Sequence, residues 1–487
     1  MKKLRDILYN VSITEVIGST DIEINHITFD SRKAQNNSLF IAIKGSVSDG
    51  HDFIEKAIQN GASVVVCEKL PAKRTESINY IAVKDANDAL AMIANNFYDE
   101  PSKKLKLVGI TGTNGKTTTT TLLFELFRRM DYSVGLISTV VNKINNKEIP
   151  TQHTTPDPLV LNQLLNEMVE QGCTHCFMEV SSHAIHQKRI GGLYFAVGGF
   201  TNITHEHLDY HNTFKEYIHV KKKFFDDLPK SARVFTNIDD KNGTVMVQNT
   251  RAKVHTYALK SMAEYKAKVL ENQFTGLVLQ VQGTELYTRL IGDFNAYNIL
   301  LVYAIAEVLT ENTIEVLRII STLESVEGRF EYHRSETGIV VIVDYAHTPD
   351  ALENVLSTIS NIRTGNERVF TLVGCGGDRD KTKRPTMAAI ACEYSDTVIL
   401  TSDNPRTEDP EVIIEDMMAG VSGVHYKKTT SNSNRREAIK QAISNAESND
   451  IILIAGKGHE TYQEINGVKH DFDDLEIAKE ILLKLSK

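Results

Sequence analysis

Residues Thr111-Gly112-Thr113-Asn114-Gly115-Lys116-Thr117-Thr118 set two glycines, a lysine and a threonine pair between the apolar stretch Leu107 to Ile110 and a helical pattern marked by Leu122, Leu123 and Leu126. Strand, glycine-rich loop and helix in that order make a phosphate site. The glycines let backbone N–H groups face phosphate oxygens, Lys116 supplies a point charge, and the Thr117 hydroxyl can ligate magnesium. Strict spacing would also want glycine at position 110, where this chain has Ile110, so the loop is a variant. A lone glycine-rich turn more often just opens a helix. The Gly-Lys-Thr triplet between a strand and a helix favours nucleotide phosphate instead.

Other residues have a chemical and a plain reading. Glu179 ends an apolar strand, where open α/β sheets place ligands, although a carboxylate there can simply be exposed at the sheet edge. His207 lies among His205, Asp209 and His211, a polar loop that alone is weak evidence for a metal ligand. Lys221 opens Lys221-Lys222-Lys223, which on charge pattern is a solvated helical face. Asn295 and Asn298 suit a helix cap, and Arg406 suits a surface arginine in the polar turn from Ser402 to Pro410. Cys173 and Cys176 have metal-pair spacing, but no second pair accompanies them and they lead into an apolar strand, so they read as core.

The elements that must position these residues alternate. Apolar strands at Val134 to Ile137, Cys176 to Val180 and Ala196 to Phe200 are separated by longer helical patterns, the mark of a parallel sheet with crossover helices. The alternation resumes at Ile339 to Val343, Val369 to Val373, Val398 to Leu400 and Ile451 to Ala455, a Rossmann-like pattern. Polar punctuation at Asp99 to Ser102 and at Arg334 to Gly338 divides the chain into domains 1–101, 102–334 and 335–487. At 487 residues the chain exceeds what one core usually organises, and 41% hydrophobic residues can fill a core in each domain. The fold class expected is α/β in three domains: an N-terminal α/β domain, a central P-loop ATPase-like domain with a mostly parallel sheet, and a C-terminal Rossmann-like domain.

A formal net charge of -9 argues against nucleic acid as a partner, while leaving room for anionic small molecules at local basic sites. Met1 to Asp6 leads into no apolar stretch of signal-peptide length, and the longest apolar runs have strand length, so neither export nor membrane insertion is expected. Five scattered cysteines suit a reducing cytoplasm.

Taken in order, the motifs resemble those of the Mur ligases. Thr-Gly-Thr-Asn-Gly-Lys-Thr is similar to their ATP loop. Met178 to His183, Thr201-Asn202-Ile203 with His207 to His211, Gly292 to Asn298, Gly328-Arg329-Phe330-Glu331 and Asp344 to Asp350 follow in family order. Asp30-Ser31-Arg32, Leu39-Phe40 and Asp49-Gly50-His51 resemble the UDP-binding domain of the tripeptide-synthetase branch. The resemblance runs from about Ser31 to Asp474. It implies an ATP-dependent amide ligase of bacterial cell-wall synthesis, acting through an acyl phosphate on UDP-MurNAc-L-Ala-D-Glu.

The same resemblance implies roles for individual residues. Gly112, Thr113, Asn114, Gly115, Lys116, Thr117 and Thr118 would hold ATP phosphates, with Asn295, Asn298 and Asp344 at the adenosine. Thr117, Glu179, His207 and Lys221 would hold magnesium, Lys221 as a carbamate formed with carbon dioxide, since an ammonium cannot be a ligand and a carbamate oxygen can. Lys116, Glu179, His207 and Lys221 would thus be catalytic. Ser31 would meet the UDP end, and Thr154, Thr155, Ser181, Gln187 and Arg189 the muramoyl dipeptide. Arg379, Asp403, Asn404, Pro405, Arg406, Gly456 and Glu460 resemble a meso-diaminopimelate pocket, in which Arg406 would bind the distal carboxylate through paired hydrogen bonds. The runner-up is L-lysine as the added amino acid. A folylpolyglutamate or cyanophycin-type synthetase and a nucleotide-regulated binding protein stand further off.

Overall fold

The computed structural model describes residues 1–45, 48–151 and 153–487, apart from the side chains of Leu208 and Asp209, so that part of the His207 to His211 motif lies outside the described residues. Three large sheets follow one another along the chain. The first has five strands, of which Ile13–Ile17 is the antiparallel edge beside the otherwise parallel set Asn79–Val83, Ala62–Cys67, Ser38–Ile41 and His26–Thr28.

The second sheet has eleven strands, and its parallel heart places Lys106–Thr111 between His175–Glu179 and Val197–Phe200. Both neighbours come later in the chain and lie on opposite sides of Lys106–Thr111, so the crossovers diverge there. A crevice opens at the carboxyl ends of such strands. The sequence read the strand Val134–Ile137 to its ends; the next is shifted by one residue to His175–Glu179, and the third, Val197–Phe200, starts one residue later than expected. Antiparallel hairpins finish both edges: Asn142–Ile144 with Lys147–Ile149, and Tyr265–Gln273 with Gly276–Val281 and Thr284–Thr288.

The third sheet orders Glu331–Arg334, Val340–Asp344, Ile451–Ala455, Val369–Val373, Thr397–Thr401 and Thr429–Asn432, parallel except at its first strand. That antiparallel strand lies before residue 335, so the sheet begins earlier than the punctuation at Arg334 to Gly338 suggested. Its loops are pinned from below by Arg435, which is fully buried with Asp474. The guanidinium donates to both Asp474 oxygens at 2.8 and 2.7 Å, to Ser402 O at 3.2 Å and to Ala455 O at 3.1 Å. Those two carbonyls immediately precede Asp403 and Gly456. Leaving one member of such a pair unpartnered costs about 3–5 kcal/mol. All five cysteines are buried and free, as the core reading of Cys173 and Cys176 expects.

Candidate active site

Lys106–Thr111 runs through the phosphate loop into the helix Lys116–Arg129. Gly115 has φ 85°, and a Cβ there would sit 2.4 Å from Asn298 Oδ1, so only glycine lets the loop pass. A Cβ on Gly112 would meet Thr201 Oγ1 at 1.9 Å. Thr113 N donates to Asn202 O at 2.8 Å and Asn114 N to Asn202 Oδ1 at 2.9 Å, which fastens the loop to the segment after Val197–Phe200. Lys116 Nζ folds over the loop and donates to Gly112 O and Thr113 O at 2.9 and 2.7 Å. Thr118 is buried in the first turn of the helix, and the Thr117 hydroxyl accepts from Arg329 Nη2 at 3.1 Å.

Lys221 corrects the charge-pattern reading. It is 1% exposed on the helix Phe214–Asp226, and its Nζ donates to the same Gly112 carbonyl at 2.8 Å. Lys222 and Lys223 instead pair along the helix with Asp226 and Asp227. Burial first, then the Lys116 charge, hold the Lys221 amine well below the usual lysine range, against the opposing pull of Glu206. Glu179 is 0% exposed, opposite Ile110 in the sheet register. Its Oε1 accepts from Thr139 N at 2.7 Å, whereas buried Oε2 has no partner among the described residues. A buried carboxylate oxygen without a donor calls for a cation or a ligand.

His207, in the left-handed region at φ 57°, leads into the short helix Leu208–His211, and its ring packs edge-on against His183. Glu206, which sequence reasoning missed, sits between two rings: Oε2 is 3.7 Å from His207 Nε2, and Oε1 is 3.7 Å from His347 Nε2. Burial raises its carboxyl, but His207, Lys116, His347 and Lys221 outweigh burial and hold it below the usual range. The only signal in the sequence was its place beside His207.

At the adenosine residues the structure shows a self-paired cluster. Asn295 Nδ2 donates to Ile291 O at 2.8 Å and Asn298 Nδ2 to Asn295 Oδ1 at 3.0 Å, while Asn298 Oδ1 faces Gly115. Asp344 ends its strand and accepts from Phe330 N at 2.6 Å, and burial pushes its carboxyl up to about 6 against the Arg329 charge.

Asp403 to Arg406 form one wall of a second cluster. Asn404 Nδ2 donates to Glu460 Oε2 at 2.7 Å, and its Oδ1 accepts from Lys457 Nζ at 3.2 Å and from Glu464 N at 2.9 Å. Lys457, also missed, is 0% exposed. Gly456 N donates to Asp344 O at 3.0 Å, joining this wall to the strand that carries Asp344. Pro405 is buried and Arg379 exposed. Arg406 has φ 52°, a conformation held by N–H donation to Glu464 O at 3.1 Å and by acceptance from Asn466 N at 2.7 Å. Its Nη1 donates to Gly377 O at 2.7 Å and its Nε lies 3.5 Å from Glu464 Oε2, so Nη2 alone has no protein partner among the described residues.

The dipeptide residues also come together. Thr155 Oγ1 donates to Glu179 O at 2.8 Å, Thr139 Oγ1 donates to Thr154 Oγ1 at 3.1 Å, and Ser181 N donates to Thr155 Oγ1 at 3.2 Å. Arg189 Nη1 donates to Thr155 O at 2.7 Å, and its Nε and Nη2 donate to Gln187 Oε1 at 2.9 and 2.6 Å. Ser31 lies apart in the first sheet's unit, buried, with its carbonyl accepting from Asn60. Lys188 ties the two units through Asp85 and Asp88.

Sequence profiles agree with this layout in chain order: "Mur ligase family, catalytic domain" over residues 23–98, "Mur ligase middle domain" over 110–306, and "Mur ligase, glutamate ligase domain" over 328–458. The chain belongs to the Mur ligase family. Among curated relatives of this ligase, the UDP-N-acetylmuramoyl-L-alanyl-D-glutamate--2,6-diaminopimelate ligase of Cytophaga hutchinsonii is 57% identical over 486 residues, covering 100% of both chains. The protein of that name from Phocaeicola vulgatus is 53% identical over 479 residues, 98% of this chain and 99% of its own. A solved structure with the same name superposes with a TM-score of 0.71 at 31% identity, covering 100% of this ligase and 99% of that chain. The MurF structure from Acinetobacter baumannii, 16% identical with a TM-score of 0.63 over 89% of this chain and 91% of its own, shares the fold.

Proposed function

We infer that this Mur ligase uses ATP to join meso-diaminopimelate to UDP-MurNAc-L-Ala-D-Glu in the cytoplasm, making a precursor of bacterial peptidoglycan. Residues 1–101 bind the UDP end, 102–334 bind ATP, and 335–487 bind the amino acid. The observation that carries the choice of amino acid is Arg406. Two of its three nitrogens are fixed by protein acceptors and Nη2 remains for a substrate carboxylate. Lysine has no distal carboxylate to offer it.

Amide formation from a carboxylate is uphill in water, so the D-Glu side chain first takes the γ-phosphoryl group as an acyl phosphate. Lys116, which lies over the loop, neutralises charge on that group. Thr117, Glu179, His207 and a carbamylated Lys221 would hold magnesium, which would supply positive charge to the transferring phosphate. Two observations support that ligand set: the unpartnered Glu179 Oε2, and a Lys221 amine whose depressed pKa favours the neutral form that adds carbon dioxide. Among the described residues no three His, Cys, Asp or Glu side chains gather as a metal group. No helix among the described residues is long and apolar enough to cross a membrane.

The test is phosphate release and product mass with ATP, magnesium, UDP-MurNAc-L-Ala-D-Glu and either meso-diaminopimelate or L-lysine. A tripeptide product with diaminopimelate at far lower concentration than lysine is expected. A preference for lysine would refute the assignment.

A further inference from the structure

The reaction needs the incoming amine held beside the acyl phosphate, and the groups so far assigned bind phosphate or the far end of the amino acid. His347 and Glu206 face each other between those two places. His347 Nδ1 is 2.8 Å from Tyr345 O, and a carbonyl can only accept, so Nδ1 carries the proton and neutral His347 presents a lone pair at Nε2. Nε2 lies 3.7 Å from Glu206 Oε1. Two acceptors confronting each other mark a place for a donor. Burial and Lys383 push the His347 pKa down to about 4, which opposes closing the gap as an imidazolium–carboxylate pair.

The position along the crevice fits a nucleophile. On one side Glu206 is an electrostatic neighbour of Lys116 and Lys221, the two lysines on the Gly112 carbonyl. On the other, burial would raise the Asp403 carboxyl, but Lys457, Arg435, the Asn404 N–H and, least, His347 hold it below its usual range, so His347 is an electrostatic neighbour of Asp403. Asp403 begins the wall that ends at Arg406. The Glu206 side chain is 11% exposed and that of His347 is 40% exposed, so the gap is reached from the crevice. Lys383 Nζ donates to His347 O at 2.7 Å, and the Tyr345 ring lies 4.7 Å from the imidazole, which fixes its direction.

Resting on the ligase reading above, we propose that Glu206 and His347 are the acceptor pair that receives the N–H groups of the incoming amino acid and aims its nitrogen at the acyl phosphate. One acceptor comes from the phosphate-loop unit and the other from the amino-acid unit, so the amine is gripped only when the two approach. Two 2.9 Å hydrogen bonds at a tetrahedral nitrogen need acceptors about 4.7 Å apart, so the gap opens by about 1 Å to admit it.

The experiment compares two reactions of the full chain with ATP, magnesium and UDP-MurNAc-L-Ala-D-Glu: amide formation with meso-diaminopimelate, and hydroxamate formation with hydroxylamine at molar concentration, which needs no positioning. Glu206→Gln and His347→Asn should each lose about 100-fold or more in kcat/KM for diaminopimelate while keeping hydroxamate formation within about threefold of wild type. A parallel fall of both reactions in either variant would assign the pair to phosphate chemistry or to folding and overturn the proposal, as would unchanged amide formation in both. A wild-type chain that forms neither product sinks the ligase reading, and the amine site with it.

Discussion

Arg406→Ala isolates the contact that selects the amino acid. Both residues carry a Cβ, so the left-handed backbone at φ 52° is strained alike in the two proteins, and the pairing of that backbone with Glu464 and Asn466 survives. What disappears is the guanidinium, and with it the partner for a substrate carboxylate. Truncating one side of such a charge pair costs about 2–5 kcal/mol. Arg406 is 22% exposed, so water screens part of the loss and the lower half of that range applies, although Glu464 left behind repels the substrate carboxylate and works the other way. At about 2–3.5 kcal/mol, kcat/KM for meso-diaminopimelate falls roughly 30- to 300-fold. L-lysine, which lacks the carboxylate, changes little or improves. The assay is the ratio of kcat/KM for the two amino acids, with ATP and UDP-MurNAc-L-Ala-D-Glu saturating. A variant that keeps the wild-type ratio would show that Arg406 does not read the distal carboxylate. Arg406→Lys should recover only part of the ratio, because an ammonium has no planar fork for Gly377 and Glu464 to hold in position.

Lys221→Ala should be nearly inactive and partly restored by short carboxylic acids that supply the missing oxygen anion; wild-type turnover without rescue would end the carbamate reading. Asp344 gives a pH signature. Its folded pKa lies near 6 against an ordinary 3.8, so between about pH 4 and 6 the folded chain keeps a proton that the unfolded chain has released, and stability falls as pH rises through that window. A displacement of that size is worth ~3 kcal/mol above pH 6. Asp344→Asn removes the buried charge, so its urea midpoint should exceed that of wild type at pH 8 and converge with it near pH 4. An equal difference at both pH values would contradict this origin.

Local signals carried much of this protein. The loop from Gly112 to Thr118 was legible because each device in it acts within a few residues: glycine at positive φ, a lysine that folds back over its own loop, and a helix that starts at that lysine. The strands Val134–Ile137, Val369–Val373 and Ile451–Ala455 were legible to the residue, since buried parallel strands are short uninterrupted apolar runs. Arg406 was legible only through motif resemblance, because a polar turn with one arginine looks like surface.

Tertiary structure decided whatever depended on a distant partner. The run Lys221-Lys222-Lys223 contains no mark to show which lysine is buried; the helix Phe214–Asp226 packs so that Lys221 meets a carbonyl 109 residues earlier, while its neighbours find carboxylates one turn away. Arg329 reaches Thr117 across 212 positions, and Glu206 meets His347 only because the loops after two different sheets converge. The sequence by itself determined the elements and the chemistry each end can offer, because propensity and periodicity act over a few residues. Which charges lose water, which oxygens lack donors, and which acceptors face each other follow from how the sheets and their loops pack, and that packing set the protonation of Lys221, Asp344 and His347.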